Sequence, residues 1–166
     1  MLNTEMTKTK KLTISALVIA LYVVVMMLTQ SFAFGQYQIR IATALYSLSA
    51  FFPFLILPMG IANFISNTIM GGLGPLDMMG GTIVGILTSG TIYLIKRNNL
   101  PNFFIALAII LIPGLCVPIW LSVILNIPYV VLASSLVIGQ IVPGIFGAVL
   151  VTALEPKLVS KTVAGK

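Results

Sequence analysis

Long apolar runs separated by short polar segments dominate the sequence. The clearest runs cover residues 12–34, 76–95, 100–125 and 129–154. Each is close to or above the roughly 20 residues that an α-helix needs to cross a bilayer. The first run lacks a small-residue cleavage site, so it is interpreted as a membrane span rather than a signal peptide. The pattern predicts at least four membrane-spanning α-helices.

A fifth apolar run, residues 39–70, is too long for one straight crossing and is interrupted by Pro53 and Pro58. Basic residues decide how often it crosses, because they concentrate on the cytoplasmic side of membrane proteins. If it crosses twice, every basic residue except Arg40 falls inside. The sequence therefore predicts an all-α membrane protein of six transmembrane helices with both termini cytoplasmic. Each half of the run, about 21–27 Å long as an α-helix, would end below the outer surface and leave a depression there.

Composition supports a multi-pass protein of the cell membrane, in contact with the lipid bilayer. The 166 residues are 59% hydrophobic and 7% charged, whereas soluble domains carry about a quarter charged residues. The predicted division is a cytoplasmic tail at 1–11, a transmembrane domain at 12–154 and a second cytoplasmic tail at 155–166. The net charge of +6 lies in clusters beside the spans, which favours a role in topology over binding of nucleic acid.

The inventory of reactive side chains argues against catalysis. The chain has no histidine, a single cysteine (Cys116) and three acids, of which Glu5 and Glu155 lie near the termini. A metal site or an acid–base pair needs several such groups. The sequence predicts no enzyme activity, no metal and no cofactor.

Polar residues inside membrane spans are costly and indicate function. The stretch 60–77 carries Asn63, Asn67 and the only acid between residues 6 and 154, Asp77. The predicted topology places Arg40 and Asp77 on the outer side, where they could pair with each other. The predicted substrate-binding residues are Arg40, Asn63, Asn67, Asp77, Gln36, Tyr46 and Gln140.

Structural alternatives stay open for these residues. Arg40 could be a snorkelling residue at the interface, and Asp77 a helix N-cap. The asparagines and Gln140 could be interhelical hydrogen-bond partners. Trp120 and Asn126 could complete a pocket, although Trp120 could equally be an interfacial aromatic.

Several short motifs carry a family resemblance. They are Gln38-Ile39-Arg40-Ile41-Ala42, Ala44-Leu45, Gly60-Ile61-Ala62-Asn63, Gly74 to Asp77, and Gly80-Gly81-Thr82. Together they resemble the QueT family over roughly residues 12–95. Members of that family are substrate-binding S components of energy-coupling factor (ECF) transporters, associated with queuosine precursors.

The resemblance implies a six-helix S component that captures a deazaguanine base from outside. It would work with a transmembrane coupling protein and two cytoplasmic ATPases. Ala16 and Ala20 match the motif that meets the coupling protein. Thr43 departs from the family pattern, which has glutamate there.

The chemistry of such a base suggests roles for these residues. Asp77 could accept its N–H groups, Asn63, Asn67 or Gln36 could donate to its carbonyl, and Tyr37, Tyr46 or Phe34 could stack on its ring. Two other functions remain: an S component for another vitamin or nucleobase, and an oligomeric pore or structural membrane subunit.

Overall fold

The computed structural model describes residues 6–35, 37–70 and 73–164, with side chains as far as residue 158. Within those ranges the regular structure is helical, as predicted. Its elements are α1 (Lys8–Leu28), α2 (Gln30–Ala33), two 3₁₀ helices η1 (Ile41–Ala50) and η2 (Pro53–Leu55), α3 (Ile56–Ile69), α4 (Pro75–Arg97), α5 (Phe103–Leu125) and α6 (Tyr129–Ala164).

Four helical stretches are long and apolar enough to cross a membrane. They are Lys8–Leu28, Pro75–Arg97, Phe103–Leu125 and Tyr129–Leu158. Their exposed surfaces are rich in leucine, isoleucine, valine and phenylalanine, as expected for helices whose outer faces meet lipid. The segments η1 and α3 are shorter. The protein is thus a multi-pass membrane protein with four candidate spans and a shorter helical pair.

Helix α1 lies at the edge of the bundle. It begins at Lys8, where the Thr7 side chain accepts a hydrogen bond from the Lys10 amide at 3.3 Å. Only Tyr22 and Met26 are buried along its length. The helix packs against α3 and η1 and leaves its remaining face uncovered. Ala16 and Ala20 lie on that uncovered face.

The run 39–70 folds into two helical segments, but the first is not the α-helix that we expected. Residues Ile41–Ala50 wind as a 3₁₀ helix. The hydroxyls of Thr43 and Ser49 bond to carbonyls three residues earlier, at Arg40 and Tyr46, which suits the tighter winding. At roughly 2.0 Å per residue, a 3₁₀ helix covers more distance than an α-helix of equal length. Ten residues of η1 therefore span about 20 Å rather than about 15 Å.

Glycines allow α3 and α4 to approach closely. A Cβ on Gly85 would lie 3.3 Å from the Gly60 Cα. A Cβ on Gly81 would lie 2.5 Å from Asn63 Oδ1 and 2.9 Å from Asn67 Nδ2. Small residues at this spacing let helices pack through van der Waals contact in lipid. The Gly81-x-x-x-Gly85 pair thus brings α4 against the two asparagines.

A large apolar cluster fills the bundle toward the end where α4 meets α5. It includes Ile92 of α4, Ile105 and Ile109 of α5, and Val151 of α6, all at most 1% exposed. Close to this cluster, Lys96 Nζ lies 2.8 Å from Glu155 Oε1 and donates to Asn102 Oδ1 at 3.0 Å. These polar contacts tie together the ends of three helices.

Replacing Lys96 by methionine is expected to lower stability only modestly, by up to about 1 kcal/mol, because partly exposed ion pairs contribute little. The lysine side chain is 21% exposed and that of Glu155 40%. Thermal unfolding in detergent measures the change. Arg97→Met is the matched control, since Arg97 is exposed and makes no ion pair within the described residues. A loss of several kcal/mol would show that these contacts contribute much more than a surface ion pair.

Candidate functional site

A polar cavity lies inside the bundle near the start of α4. Its lining comes from the loop before η1 and from η1, α3, α4, α5 and α6. The lining residues are Gln38, Arg40, Thr43, Tyr46, Asn63, Asp77, Gly81, Val84, Pro113, Val117, Trp120, Leu136 and Gln140. Its volume is about 10 Å³, room for roughly one water molecule. The cavity therefore has no room for a molecule larger than water.

The 3₁₀ winding of η1 explains why its polar residues face this cavity together. Side chains three residues apart eclipse one another in a 3₁₀ helix. Thr43 and Tyr46 follow that spacing within η1 and both line the cavity, and Arg40 joins them from the residue before the helix, where its backbone is not helical. In an α-helix, the side chains of Thr43 and Tyr46 would point about 60° apart. The unexpected helix type is thus what builds one wall of the site.

Arg40 is buried, with 7% of its surface exposed. Its guanidinium carbon lies 5.0 Å from the centre of the Phe34 ring, a distance at which a cation–π interaction is favourable. Its Nε has no hydrogen-bond partner. This burial does not fit a snorkelling side chain, whose charged head stays in water. The ion pair of Arg40 with Asp77 considered above is not formed within the described residues.

Asp77 lies in the first turn of α4 and is 4% exposed. Its Oδ1 accepts a hydrogen bond from Trp120 Nε1 at 3.0 Å, and its Oδ2 accepts one from Asn67 Nδ2 at 3.4 Å. The N-cap position belongs to Gly74, whose φ of 95° suits glycine. Asp77 is therefore not the N-cap residue, and its carboxylate is held in place by side chains of α3 and α5.

The two asparagines of α3 have different positions. Asn63 lines the cavity, and its Nδ2 donates to Tyr46 Oη at 2.7 Å. Asn67 lies behind Asp77, where its Nδ2 also reaches the Asp77 carbonyl at 3.3 Å. The Oδ1 atoms of both asparagines are buried without a hydrogen-bond partner. Asn63 is thus a wall residue, while Asn67 supports the carboxylate from outside the cavity.

Gln140 of α6 connects the loop before η1 to the cavity wall. Its Oε1 accepts from Thr43 Oγ1 at 3.0 Å, and its Nε2 donates to the Gln38 carbonyl at 3.1 Å. Beside it, Gly139 packs against the Tyr37 carbonyl so closely that any Cβ would overlap the oxygen. Gln38 has a positive φ of 44°. The loop is therefore pressed onto α6 and closes the cavity on that side.

A larger and mostly apolar pocket adjoins the closed cavity; we call it the vestibule. It measures about 440 Å³ and shares Gln38 and Leu136 with the cavity lining. Its other lining residues are Phe34, Gly35, Met70, Leu73, Leu125, Ile127, Val131, Leu132 and Ser135. Pockets for small organic ligands commonly measure about 300–1,000 Å³. The vestibule falls within that range, and the closed cavity lies far below it.

Most of the predicted binding residues come together. Arg40, Tyr46, Asn63, Asp77 and Gln140 all line the cavity, and Asn67 stands just behind it. Gln36 lies outside the described residues. Asn126 is exposed at the end of α5 and does not line the cavity.

Sequence reasoning missed two participants and left Trp120 ambiguous. Trp120 is a cavity residue that donates to the central carboxylate. Tyr22 was overlooked, although it is the only tyrosine in the first apolar run, residues 12–34, which is a usable signal. Its ring stacks on that of Tyr46 with centroids 5.8 Å apart. Gln38 was noted as the first residue of the Gln38-Ile39-Arg40-Ile41-Ala42 motif but was not among the predicted binding residues.

The cavity combines hydrogen-bond acceptors on one side with donors on another. Asp77 and the free Oδ1 of Asn63 are acceptors from α4 and α3, while Arg40 supplies donors from the start of η1. Within the described residues, no three acids, cysteines or histidines gather in a metal-binding group. The arrangement is suited to holding a small polar molecule that presents both donors and acceptors.

Comparison with protein families identifies the chain. A family model described as QueT transporter matches residues 12–156, which is nearly the whole sequence and extends the resemblance well beyond residue 95. No curated protein and no solved structure matches the sequence significantly. Membership indicates a membrane transporter of a small molecule rather than an enzyme. The length of the match, together with the apolar helices around a polar cavity, shows that this chain belongs to the QueT transporter family.

Proposed function

We propose that this chain is the S component of an ECF-type importer and binds a queuosine precursor, a deazaguanine base, from the outside. In the proposed topology the chain crosses the membrane six times, with η1 and α3 as the two short crossings and both termini in the cytoplasm. The cavity and vestibule then open toward the exterior. The Lys96 end of the bundle then faces the cytoplasm, in agreement with the positive-inside rule.

The substrate proposal rests on buried polar atoms of the cavity residues that have no hydrogen-bond partner. Arg40 Nε and Asn63 Oδ1 are among five buried side-chain atoms that lack a partner. Leaving such atoms unpaired is costly, so a ligand that pairs with them gains affinity. One edge of a guanine-like base carries a carbonyl acceptor beside N–H donors. Arg40 is suited to the carbonyl, and Asp77 and Asn63 to the N–H groups.

The small volume of the cavity restricts how a ligand can enter it. A base cannot fit into about 10 Å³, so the loop that covers the cavity has to move. The adjoining vestibule of about 440 Å³ is large enough for a base and is separated from the cavity by Gln38 and Leu136. We infer that the substrate enters through the vestibule and that the loop at Gln38 is displaced on the way.

A pore is less well supported than a dead-end site. Along α4, Asp77, Gly81 and Val84 line the cavity, whereas Ile92 and Ile95 lie in the apolar cluster farther along. An aqueous channel would need polar residues along the whole path. The described residues of α4 instead pass from the cavity through buried Thr88 and Ser89 to Ile92 and Ile95 of the apolar cluster, which lies before the Lys96 end.

The uncovered face of α1 fits a role in assembly. Ala16 and Ala20 are exposed there, and small residues permit close helix contact within lipid. We propose that this face meets the transmembrane coupling protein, which connects the S component to two cytoplasmic ATPases. Those ATPases would supply the energy for release of the base into the cell.

Binding to the purified protein tests the proposal. Isothermal titration in lipid nanodiscs is expected to give a sub-micromolar Kd for deazaguanine, which corresponds to a binding free energy beyond about −8 kcal/mol. The matched control ligand is deazaadenine, which lacks the carbonyl and the adjacent N–H; it should bind at least about tenfold more weakly, since a site built for hydrogen bonds rejects analogues that leave them unmade.

Failure of every deazaguanine to bind would overturn the substrate assignment. Mass spectrometry of small molecules that co-purify with the protein would then distinguish an S component for another vitamin or nucleobase. Co-purification with a coupling protein and ATPases tests the S-component role independently of the ligand.

A further inference from the structure

A buried cluster of three polar groups connects α1 to the cavity. Tyr22 Oη and Tyr46 Oη lie 3.2 Å apart, and Asn63 Nδ2 lies 2.7 Å from Tyr46 Oη and 3.4 Å from Tyr22 Oη. Both tyrosines are 0% exposed. Tyr46 and Asn63 line the cavity, whereas Tyr22 does not. Tyr22 can therefore influence a ligand in the cavity only through its contacts with Tyr46 and Asn63.

Counting hydrogens restricts how this cluster is arranged. An amide nitrogen has two hydrogens, and each tyrosine hydroxyl has one. In this orientation of the Asn63 amide, Nδ2 uses its hydrogens on the two tyrosine oxygens, and Oδ1 lies beside Gly81 without a hydrogen-bond partner. The contact between the hydroxyls needs one further hydrogen, so one of the two hydroxyl hydrogens is left over. Either Tyr22 donates to Tyr46 and the Tyr46 hydrogen remains, or the reverse.

Contact with the cavity decides between these two arrangements, because both tyrosines are 0% exposed but only Tyr46 lines the cavity. If Tyr46 donated, the Tyr22 hydrogen would be left in the packed core without an acceptor, an arrangement that is strongly disfavoured. If Tyr22 donates, the remaining hydrogen belongs to Tyr46, which lines the cavity. The Tyr46 oxygen then receives hydrogens from both Asn63 and Tyr22, and both of its lone pairs are occupied. Tyr46 can only donate to a ligand.

We propose that Tyr22 is a specificity-determining positioning residue: its hydroxyl makes Tyr46 an obligate hydrogen-bond donor, so the ligand has to present an acceptor there. This inference rests on the proposed function and assigns the acceptor to the ring carbonyl of the base. Arg40, the residue before η1, and Tyr46 of η1 both line the cavity, so the ligand meets both donors there. A carbonyl has two lone pairs and accepts from both. An amino group at that position would oppose two donors.

The test compares deazaguanine with its diamino analogue, in which an amino group replaces the ring carbonyl and the adjacent ring nitrogen loses its hydrogen; Tyr22→Phe and wild-type protein meet the same two bases. Wild-type protein in nanodiscs is expected to prefer the carbonyl base by at least about tenfold, because the analogue leaves buried donors unpaired. In Tyr22→Phe, a lone pair of Tyr46 becomes free, and its hydroxyl can turn to accept from the amino group. The ratio of the Kd of the diamino analogue to the Kd of deazaguanine is then expected to fall by about fivefold or more, which is the effect of about one hydrogen bond.

The control is Tyr93→Phe, which makes the same chemical change on α4 at a residue that does not line the cavity; it should leave the preference unchanged. A purely structural role for Tyr22 would weaken both ligands equally, so an unchanged preference in Tyr22→Phe overturns the inference while the proposed function stands. If wild-type protein binds neither base, the proposed substrate and this inference both fail.

If thermal unfolding shows that Tyr22→Phe does not fold, the Tyr46→Phe variant tests the inference in its place. It removes the donor itself and is expected to reduce the preference for the carbonyl base. A Tyr46→Phe protein that keeps the full wild-type preference contradicts the inference.

Discussion

Asp77→Ala is expected to weaken deazaguanine binding by roughly 1–3 kcal/mol, or about 5- to 150-fold in Kd, the range for loss of a buried hydrogen-bond partner. The carboxylate is 4% exposed and lines the cavity, so no water replaces it easily as an acceptor for the ligand N–H groups. The substitution also leaves Trp120 Nε1 without the acceptor it contacts at 3.0 Å. Isothermal titration gives the affinity, and thermal unfolding gives the accompanying loss of stability.

Asn67→Ala is the matched control for this prediction. It removes one of the side chains that hold the carboxylate, with Nδ2 at 3.4 Å from Asp77 Oδ2, but leaves the acceptor in the cavity. We expect a smaller loss of affinity, together with some loss of stability. Equal losses of affinity in Asn67→Ala and Asp77→Ala would mean that Asp77 acts by supporting the fold, and not by contacting the ligand.

A second large effect is expected from Gly139→Ala. The added Cβ would overlap the Tyr37 carbonyl oxygen, so the loop before η1 has to move away from α6. We expect that movement to lengthen the hydrogen bond from Gln140 Nε2 to the Gln38 carbonyl, now 3.1 Å. It should also displace Arg40 from its position in the cavity lining. Overpacking of this kind costs about 1–3 kcal/mol, and we expect a loss of affinity of similar size in titration.

Gly90→Ala serves as the control, because nothing lies within 4 Å of a Cβ built on Gly90. Alanine within a helix is favoured over glycine by up to about 1 kcal/mol, so Gly90→Ala should be neutral or slightly stabilising and should bind the base normally. If Gly139→Ala binds as tightly as Gly90→Ala, closure of the loop on α6 does not contribute to binding.

The run 39–70 shows where sequence reasoning succeeded and where it failed. Counting basic residues predicted that the run crosses the membrane twice, which stays a prediction, whereas Arg40 before η1 and Asp77 after α3 line one cavity. The helix type was wrong, because α-helical and 3₁₀ windings share most of their residue preferences. The choice depends on packing of η1 against α4 and α6 and on hydroxyl bonds such as that of Thr43 to the Arg40 carbonyl.

The polar residues show a similar division. Asn63 and Asn67 are spaced by four and share a helix face, which predicted a common position, yet only Asn63 reaches the cavity. Their difference depends on Asp77, whose carboxylate lies between Asn67 and Trp120. Trp120 could not be assigned from sequence either, because an indole near a helix end fits a membrane interface as well as a binding site. Only its hydrogen bond to Asp77 Oδ1 places it in the cavity.

Sequence alone establishes the membrane class, the long spans, the family and most of the polar residues around the cavity. These properties follow from features that act locally: apolar length, the cost of polar groups in lipid, and motifs read residue by residue. The tertiary structure decided that the cavity is small, that a vestibule adjoins it, and that the Tyr22 and Tyr46 hydroxyls lie 3.2 Å apart. Those properties depend on atoms from distant segments meeting within about 3 Å, as Gln140 meets Gln38 across 102 positions of sequence, and no local pattern in a single chain encodes such contacts.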